Sequence, residues 1–111
     1  GDYDQLVAEG TKKVKNRWTA REGLQMLLPA LSMGPTDPAA DSIIWNIACG
    51  FDILDDRPNA NYFFAKLYHF YPESKYNKNL KNRIGGYRYP VEYLGKWIDL
   101  KYDPAVLECN K

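Results

Sequence analysis

The chain has 111 residues, of which 45% are hydrophobic and 26% charged, a balance typical of a folded globular protein rather than a disordered one. Lys and Arg total 15 against 14 Asp and Glu, so the net charge of +1 provides no general attraction to nucleic acid or to an anionic membrane. The length predicts a single domain, residues 1–111, and excludes a barrel enzyme or a doubly wound nucleotide-binding fold, and no apolar run is long enough to predict a membrane span.

The first predicted helix covers about residues 2–18, because Val7, Val14 and Trp18 recur on one helical face. Thr19 and Glu22 then have the spacing of a capping box, with Thr19 as the N-cap of a second helix and Glu22 reaching back to it. We expect Pro29 to kink or end that second helix near Leu28, because proline lacks the backbone N–H that the helix interior requires.

The middle of the chain contains the clearest helix, from Asp37-Pro38 to about Asp55, because an N-cap aspartate is followed by proline at the first helical position. Pro58 starts a further predicted helix that ends near Phe70. Apolar residues recur in both helices at the helical period: Ile43, Ile44, Ile47, Ala48, Phe51 and Leu54, then Ala60, Phe63, Phe64 and Leu67.

Two more helices are predicted after this pair, one over about residues 72–84, ended by Gly85-Gly86, and one over about residues 90–101. Residues 87–93 are the one stretch where a strand is plausible. The sequence therefore predicts an all-α fold of five or six short helices packed as antiparallel hairpins, arranged either as a helical repeat or as an orthogonal bundle.

One helical pair also resembles a known repeat. Small and aromatic residues stand at set offsets over residues 41–74, and the second helix ends Tyr71-Pro72-Glu73-Ser74-Lys75-Tyr76. The matching positions are Ile44, Ile47, Ala48, Phe51, Ala60, Phe64 and Pro72. This pattern resembles a single tetratricopeptide hairpin of the kind found in bacterial envelope proteins, although Leu67 stands where a small residue is expected and no second copy lies 34 residues away. The resemblance implies close crossing of the helices at Ala48 and Ala60, and a concave face lined by Ser42, Trp45, Cys49 and Asp52.

Trp45 has two interpretations. It forms a second apolar stripe with Cys49 on a helix that already has one, so either the helix is buried on both sides or Trp45 lies in an exposed groove. Cys49 and Cys109 are the two cysteines of the chain, and their spacing excludes a CxxC motif. They form either a disulfide, which implies a periplasmic or secreted protein, or two reduced thiols in a cytoplasmic one.

Catalytic and metal-binding patterns are scarce. His69 is the single histidine, which excludes paired-histidine zinc sites. Asp52 and Asp56 share a helical face and could form a carboxylate pair, but a solvated turn explains them as well. We therefore expect no enzymatic activity, no cofactor and no metal site.

Binding of another protein is the function that the composition favours, because Tyr, Trp and Arg dominate protein interfaces. The residues expected to contact the partner are Trp45, Asp52, Tyr62, Lys66, Tyr68, Lys75, Lys78, Arg83 and Arg88. Two alternatives stay open: an immunity-type inhibitor that presents the acidic helix 37–56 to a secreted enzyme, and a nucleic-acid-binding module that uses the basic stretch 75–88.

Overall fold

The computed structural model describes the backbone of residues 2–33, 39–77, 87–93 and 96–102, and the side chains of residues 2–33, 40–68 and 70–77. In chain order the elements are α1 (Asp2–Lys13), α2 (Ala20–Ser32), α3 (Ala39–Ile53), α4 (Arg57–Phe70), a 3₁₀ turn (Lys75–Asn77), β1 (Tyr87–Tyr93) and β2 (Lys96–Tyr102). The described residues form four α-helices rather than the five or six expected, followed by a two-stranded hairpin, so the all-α prediction is confirmed in part. No helix in these ranges is long and apolar enough to cross a membrane.

α1 is shorter than predicted and ends at Lys13, so Trp18 does not extend its apolar face. Residues 14–19 form a turn in which the Asn16 side chain accepts a hydrogen bond from the Trp18 backbone N–H at 2.8 Å. The physical reason is that asparagine offers the backbone a local partner in place of the next helical hydrogen bond. The Val14 side chain, in contrast, lies fully buried beneath this turn.

α2 begins after Thr19 as predicted, but the expected capping box is wrong in its hydrogen bonds. The Thr19 hydroxyl donates to the Lys13 carbonyl oxygen at 2.7 Å, and Glu22 pairs with the Lys13 ammonium group. Pro29 does not end the helix, which continues to Ser32. One missing hydrogen bond is tolerated there because Leu27 and Ala30, on the buried face of the same turn, hold α2 against its neighbours.

Two glycines allow α1 and α2 to cross with their backbones in contact. A methyl group built on Gly23 would lie 2.8 Å from the Val14 backbone nitrogen and 2.9 Å from the Gly10 carbonyl oxygen. A methyl group on Gly10 would lie 2.7 Å from Leu27 Cγ. A Cβ on Gly23 would therefore push α1 and α2 apart, whereas a Cβ on Gly10 would first require the buried Leu27 side chain to move.

α3 and α4 form the second helical hairpin, and α3 also packs against α2. Asp56 is the N-cap of α4, its side chain accepting from the Asn59 backbone N–H, and Pro58 lies in the first helical turn as predicted. Residues 43–50 of α3 are all buried, which makes this helix the centre of the core. Ala48, Ala60 and Phe64 share one cluster, as the apolar pattern predicted. The predicted cap Asp37 lies outside the described residues.

The predicted last helix, residues 90–101, is wrong. β1 and β2 pair as an antiparallel hairpin in which Val91 faces Ile98 and Tyr93 faces Lys96, and the hairpin lies against α4. β1 contains three tyrosines and a valine, residues that favour strands, and its pairing with β2 outweighs the helical period of residues 90–101. Of the helix expected over residues 72–84, the described residues 72–77 contain a 3₁₀ turn, Lys75–Asn77, and residues 78–86 lie outside the described part of the chain.

Candidate protein-binding surface

Trp45 lies in the core, with 5% of its surface exposed. Its indole stacks on the Tyr76 ring, with centroids 5.3 Å apart, and meets the edge of Phe64 at 5.6 Å. Of the two interpretations, the structure therefore has α3 buried on both sides, and the exposed groove centred on Trp45 is absent.

The segment that follows α4 covers the Trp45 side of α3. The Ser74 hydroxyl donates to the Asp41 carboxylate at 2.7 Å, and the Tyr76 hydroxyl lies 3.4 Å from the Ser42 hydroxyl. The Asn77 side chain is buried and donates to the Tyr71 carbonyl oxygen. The Tyr-Pro-x-Ser-x-Tyr ending thus closes the face that the repeat resemblance predicted to be concave and open.

Asp52 is also buried, and its carboxylate pairs with the Arg57 guanidinium across the α3–α4 turn. Burial raises the pKa of the Asp52 carboxyl, and the Arg57 charge opposes that rise without cancelling it. This pair joins the end of one helix to the start of the next. Asp52 therefore serves the hairpin and is not available to a partner or to a carboxylate pair with Asp56, whose side chain caps α4.

Tyr62 and Lys66 are brought together, as predicted, on one stripe of α4. They line an open groove of about 720 Å³ between α4 and the C-terminal part of α2. The lining is mainly apolar: Leu28, Pro29, Leu31, Ser32, Met33, Tyr62, Phe63 and Lys66. Tyr62 is 38% exposed and rests edge-on against Phe63, and Phe63 stacks on Phe51 of α3, so the groove has a floor of packed aromatic rings.

The other predicted contact residues do not join this groove. Tyr68 is 39% exposed, but a spacing of six residues from Tyr62 turns it roughly 240° around the helix. Lys75 is exposed and its ammonium group lies 5.2 Å from the centre of the Tyr76 ring. Lys78 and Arg83 lie outside the described residues, and Arg88 is placed only as a backbone position in β1.

Three exposed apolar residues among the described side chains were missed by the sequence interpretation. Trp18 is 86% exposed in the α1–α2 turn, Met33 is 58% exposed at the end of α2, and Phe70 is 48% exposed at the end of α4. Asn16, two residues before Trp18, was the available signal, because asparagine favours a turn over a continuing helix. Met33 carried no signal, since its exposure depends on how α1 and α4 lie around it.

Of the two cysteines in the predicted disulfide, Cys49 lies among the described residues and Cys109 does not. Cys49 is buried in the core, 1% exposed, and is not a free thiol in the structure. Cys109 lies outside the described residues, so its pairing with Cys49 stays a prediction. The His69 side chain is likewise not described.

The described side chains contain no group of three or more His, Cys, Asp or Glu that could hold a metal ion. The chain matches no protein-family model, no curated protein and no solved structure at a significant level. Among the described residues, the groove between α2 and α4 is the candidate surface that contains two of the predicted contact residues, Tyr62 and Lys66.

Proposed function

We propose that this chain is a non-catalytic protein-binding module whose contact surface is the α2–α4 groove. One observation carries the proposal: an open, mainly apolar groove between two helices is bordered by Met33, Tyr62 and Lys66. Tyrosine and methionine are enriched at protein interfaces, and a groove between two helices is a common place for a partner segment to lie.

The lining also indicates what the partner offers. Leu28, Leu31 and Phe63 favour apolar side chains from a helix or an extended segment. Lys66 is half-buried at the border of the groove and supplies one positive charge, so a carboxylate next to those apolar side chains completes the match. The proposed partner is an amphipathic protein segment with an acidic residue beside its apolar face.

The architecture supports a helical-repeat type of module, since α1 with α2 and α3 with α4 form two consecutive hairpins that pack through α2 and α3. A disulfide between Cys49 and Cys109 would place the protein in the periplasm or outside the cell. The inhibitor and nucleic-acid alternatives predict other binding partners, an enzyme and an oligonucleotide. The experiment described next distinguishes them from the proposed module.

The test places a photo-crosslinking amino acid at position 62 or, as a matched control on the opposite side of α4, at position 68. We expect a crosslink to a co-purifying protein from position 62 and little from position 68. For that partner, the double variant Tyr62→Ala/Lys66→Ala should weaken binding by about tenfold or more, the loss typical of an interface hot spot. Tyr68→Ala should leave affinity within about twofold.

Equal crosslinking from both positions, or full affinity in the double variant, would contradict the groove as the binding surface. Steeply salt-dependent binding to a generic oligonucleotide would favour the nucleic-acid alternative instead. Inhibition of a captured enzyme that survives the double variant would favour the inhibitor.

A further inference from the structure

The α1–α2 hairpin has two unlike patches at its opposite ends. At the turn, Trp18 stands out into solvent in a stretch, residues 10–21, that has five basic residues and no acidic one. At the open end, α1 and α2 enclose a pocket bordered by carboxylates. We call these the Trp18 turn, residues 15–18, and the acidic pocket, lined by Asp2, Gln5, Leu6, Glu9, Met26 and Met33.

The Trp18 turn is held in place by its own hydrogen bonds. The Trp18 backbone N–H donates to the Asn16 side chain at 2.8 Å, and the Thr19 backbone N–H donates to the Asn16 carbonyl oxygen at 3.1 Å. The Thr19 hydroxyl ties the turn to the end of α1 at Lys13. The indole is thus presented on a fixed turn, which lowers the entropy lost when a partner covers it.

The charge around Trp18 is positive. Lys15, Arg17 and Arg21 are exposed beside it, while the charge of Lys13 is balanced by Glu22 at 2.7 Å. An exposed tryptophan among cations is the composition of an interface hot spot. A surface complementary to this tryptophan and its cations would be an apolar pocket with an acidic border.

The acidic pocket has that composition. Its volume of about 410 Å³ is large enough for an indole, and Leu6, Met26 and Met33 supply apolar walls. Asp2 and Glu9 are exposed on the α1 side, and Glu9 accepts a hydrogen bond from the Gln5 side chain at 3.2 Å, which holds its carboxylate at the border. Methionine walls adapt well to an aromatic ring.

We propose that the Trp18 turn of one molecule docks into the acidic pocket of a second copy of this chain. The two patches cannot meet within one molecule, because eight residues of α1, or roughly 12 Å of helix, separate Gln5 from Lys13, where the turn begins. The contact is therefore head-to-tail, and it forms either a ring or an open chain of molecules. It uses neither Tyr62 nor Lys66, although Met33 lines both the acidic pocket and the α2–α4 groove, and different variants therefore test the two proposals.

One tryptophan and a charged border make a small contact, below the area of a stable dimer, so self-association is weak and depends on concentration. It also weakens as salt rises, because the charges at the border are exposed. Both properties can be measured on the whole protein.

The test is sedimentation equilibrium across a range of concentrations at low and high salt. We expect the average mass of the wild-type protein to rise above the 12.8 kDa of one chain with concentration, and less so in high salt. Trp18→Ala, which removes the inserted ring, and Asp2→Lys/Glu9→Lys, which reverses the pocket border, should each stay monomeric. All of these positions are exposed, so the fold should be retained, as checked by circular dichroism.

The decisive sample is the mixture of the two variants. Trp18→Ala keeps an intact pocket and the pocket variant keeps Trp18, so the mixture should form one-to-one dimers that do not grow further. Tyr68→Ala, which removes an exposed ring outside both the groove and the acidic pocket, is the matched control, and it should self-associate like the wild type. Wild-type protein that stays monomeric, a mixture that stays monomeric, or unchanged association of Trp18→Ala would each overturn the proposal. So would binding of Trp18 to anionic vesicles or to an oligonucleotide without self-association.

Discussion

Asp52 demonstrates how much a residue's surroundings change its role. In the sequence it belongs to an acidic cluster with Asp55 and Asp56, which suggests a solvated turn or a carboxylate pair. In the fold it is buried and ion-paired with Arg57, which lies one residue after the α4 cap. Because burial raises the pKa of Asp52, this carboxyl binds its proton more tightly in the folded chain than in the unfolded chain.

Arg57→Met should therefore destabilise the protein in a pH-dependent way. Without the guanidinium the Asp52 carboxylate is left buried without its charge partner, and we expect a loss of about 2 kcal/mol in the free energy of unfolding at pH 7. The loss should shrink as the pH falls through the raised pKa of Asp52, because the protonated acid needs no counter-charge. Urea unfolding at pH 7 and pH 4 measures it.

The control for this experiment is Asp52→Asn/Arg57→Met, in which no buried carboxylate remains. The double variant should be more stable than Arg57→Met at pH 7. At pH 4 the free energies of unfolding of the two variants should be similar. An equal loss for Arg57→Met at both pH values would show that the guanidinium acts through packing rather than charge.

At the scale of elements, the helices follow their local signals, but their contacts depend on positions that look unimportant. By helix propensity alone, Gly10 and Gly23 should weaken their helices, since glycine lowers the stability of a helix by about 1 kcal/mol relative to alanine. In the fold they are the positions where α1 and α2 touch backbone to backbone. The α3–α4 hairpin uses Ala48 and Ala60 in its core, and these were identified because the repeat resemblance singles out small residues.

Gly23→Ala should consequently destabilise the protein even though alanine is the better helix former. The added methyl group meets backbone atoms of α1 at 2.8 and 2.9 Å, so the helices must separate, and we expect a loss of about 2 kcal/mol. Gly50→Ala is the matched control, because its nearest neighbours are the side chains of Leu24 and Val14, which can adjust. Its stability should stay within about 1 kcal/mol of wild type in thermal or urea unfolding.

Equal destabilisation by Gly23→Ala and Gly50→Ala would contradict the backbone contact as the cause.

The burial of Trp45 on α3 also depends on a distant part of the chain. Its ring is covered by Tyr76, which lies 31 residues later in the chain. Helical periodicity places Trp45 on a second apolar stripe, but it does not say which segment covers that stripe.

At the scale of the whole molecule, one covalent link remains to be tested. Cys49 lies at the centre of the core on α3, and Cys109 lies close to the end of the sequence. A disulfide between them closes a loop of 60 residues. In the chain-entropy treatment such a loop stabilises the folded state by about 4 kcal/mol, because it restricts the unfolded chain.

Reduction should then lower the free energy of unfolding by about that amount. Mass spectrometry without reductant should find the chain 2 Da lighter than the reduced form, since a disulfide lacks the two thiol hydrogens. The Cys109→Ser variant, which leaves the core thiol in place, should match the reduced wild type in stability. Unfolding that is unaffected by reductant would show that the cysteines do not pair.

Much of the helical architecture could be predicted from local chemistry. Proline and aspartate at helix starts, and apolar residues at the helical period, identified α3, α4 and their shared core, because these signals act within one or two turns of chain. For the final hairpin, the sequence left a strand plausible over residues 87–93 but favoured a helix over residues 90–101, and pairing of β1 with β2 decides for the strand. Burial of Trp45 was one of two interpretations that the sequence left open, while exposure of Trp18 and the groove beside Tyr62 escaped prediction. Each depends on which remote segment covers a face, and only packing of the complete chain determines that.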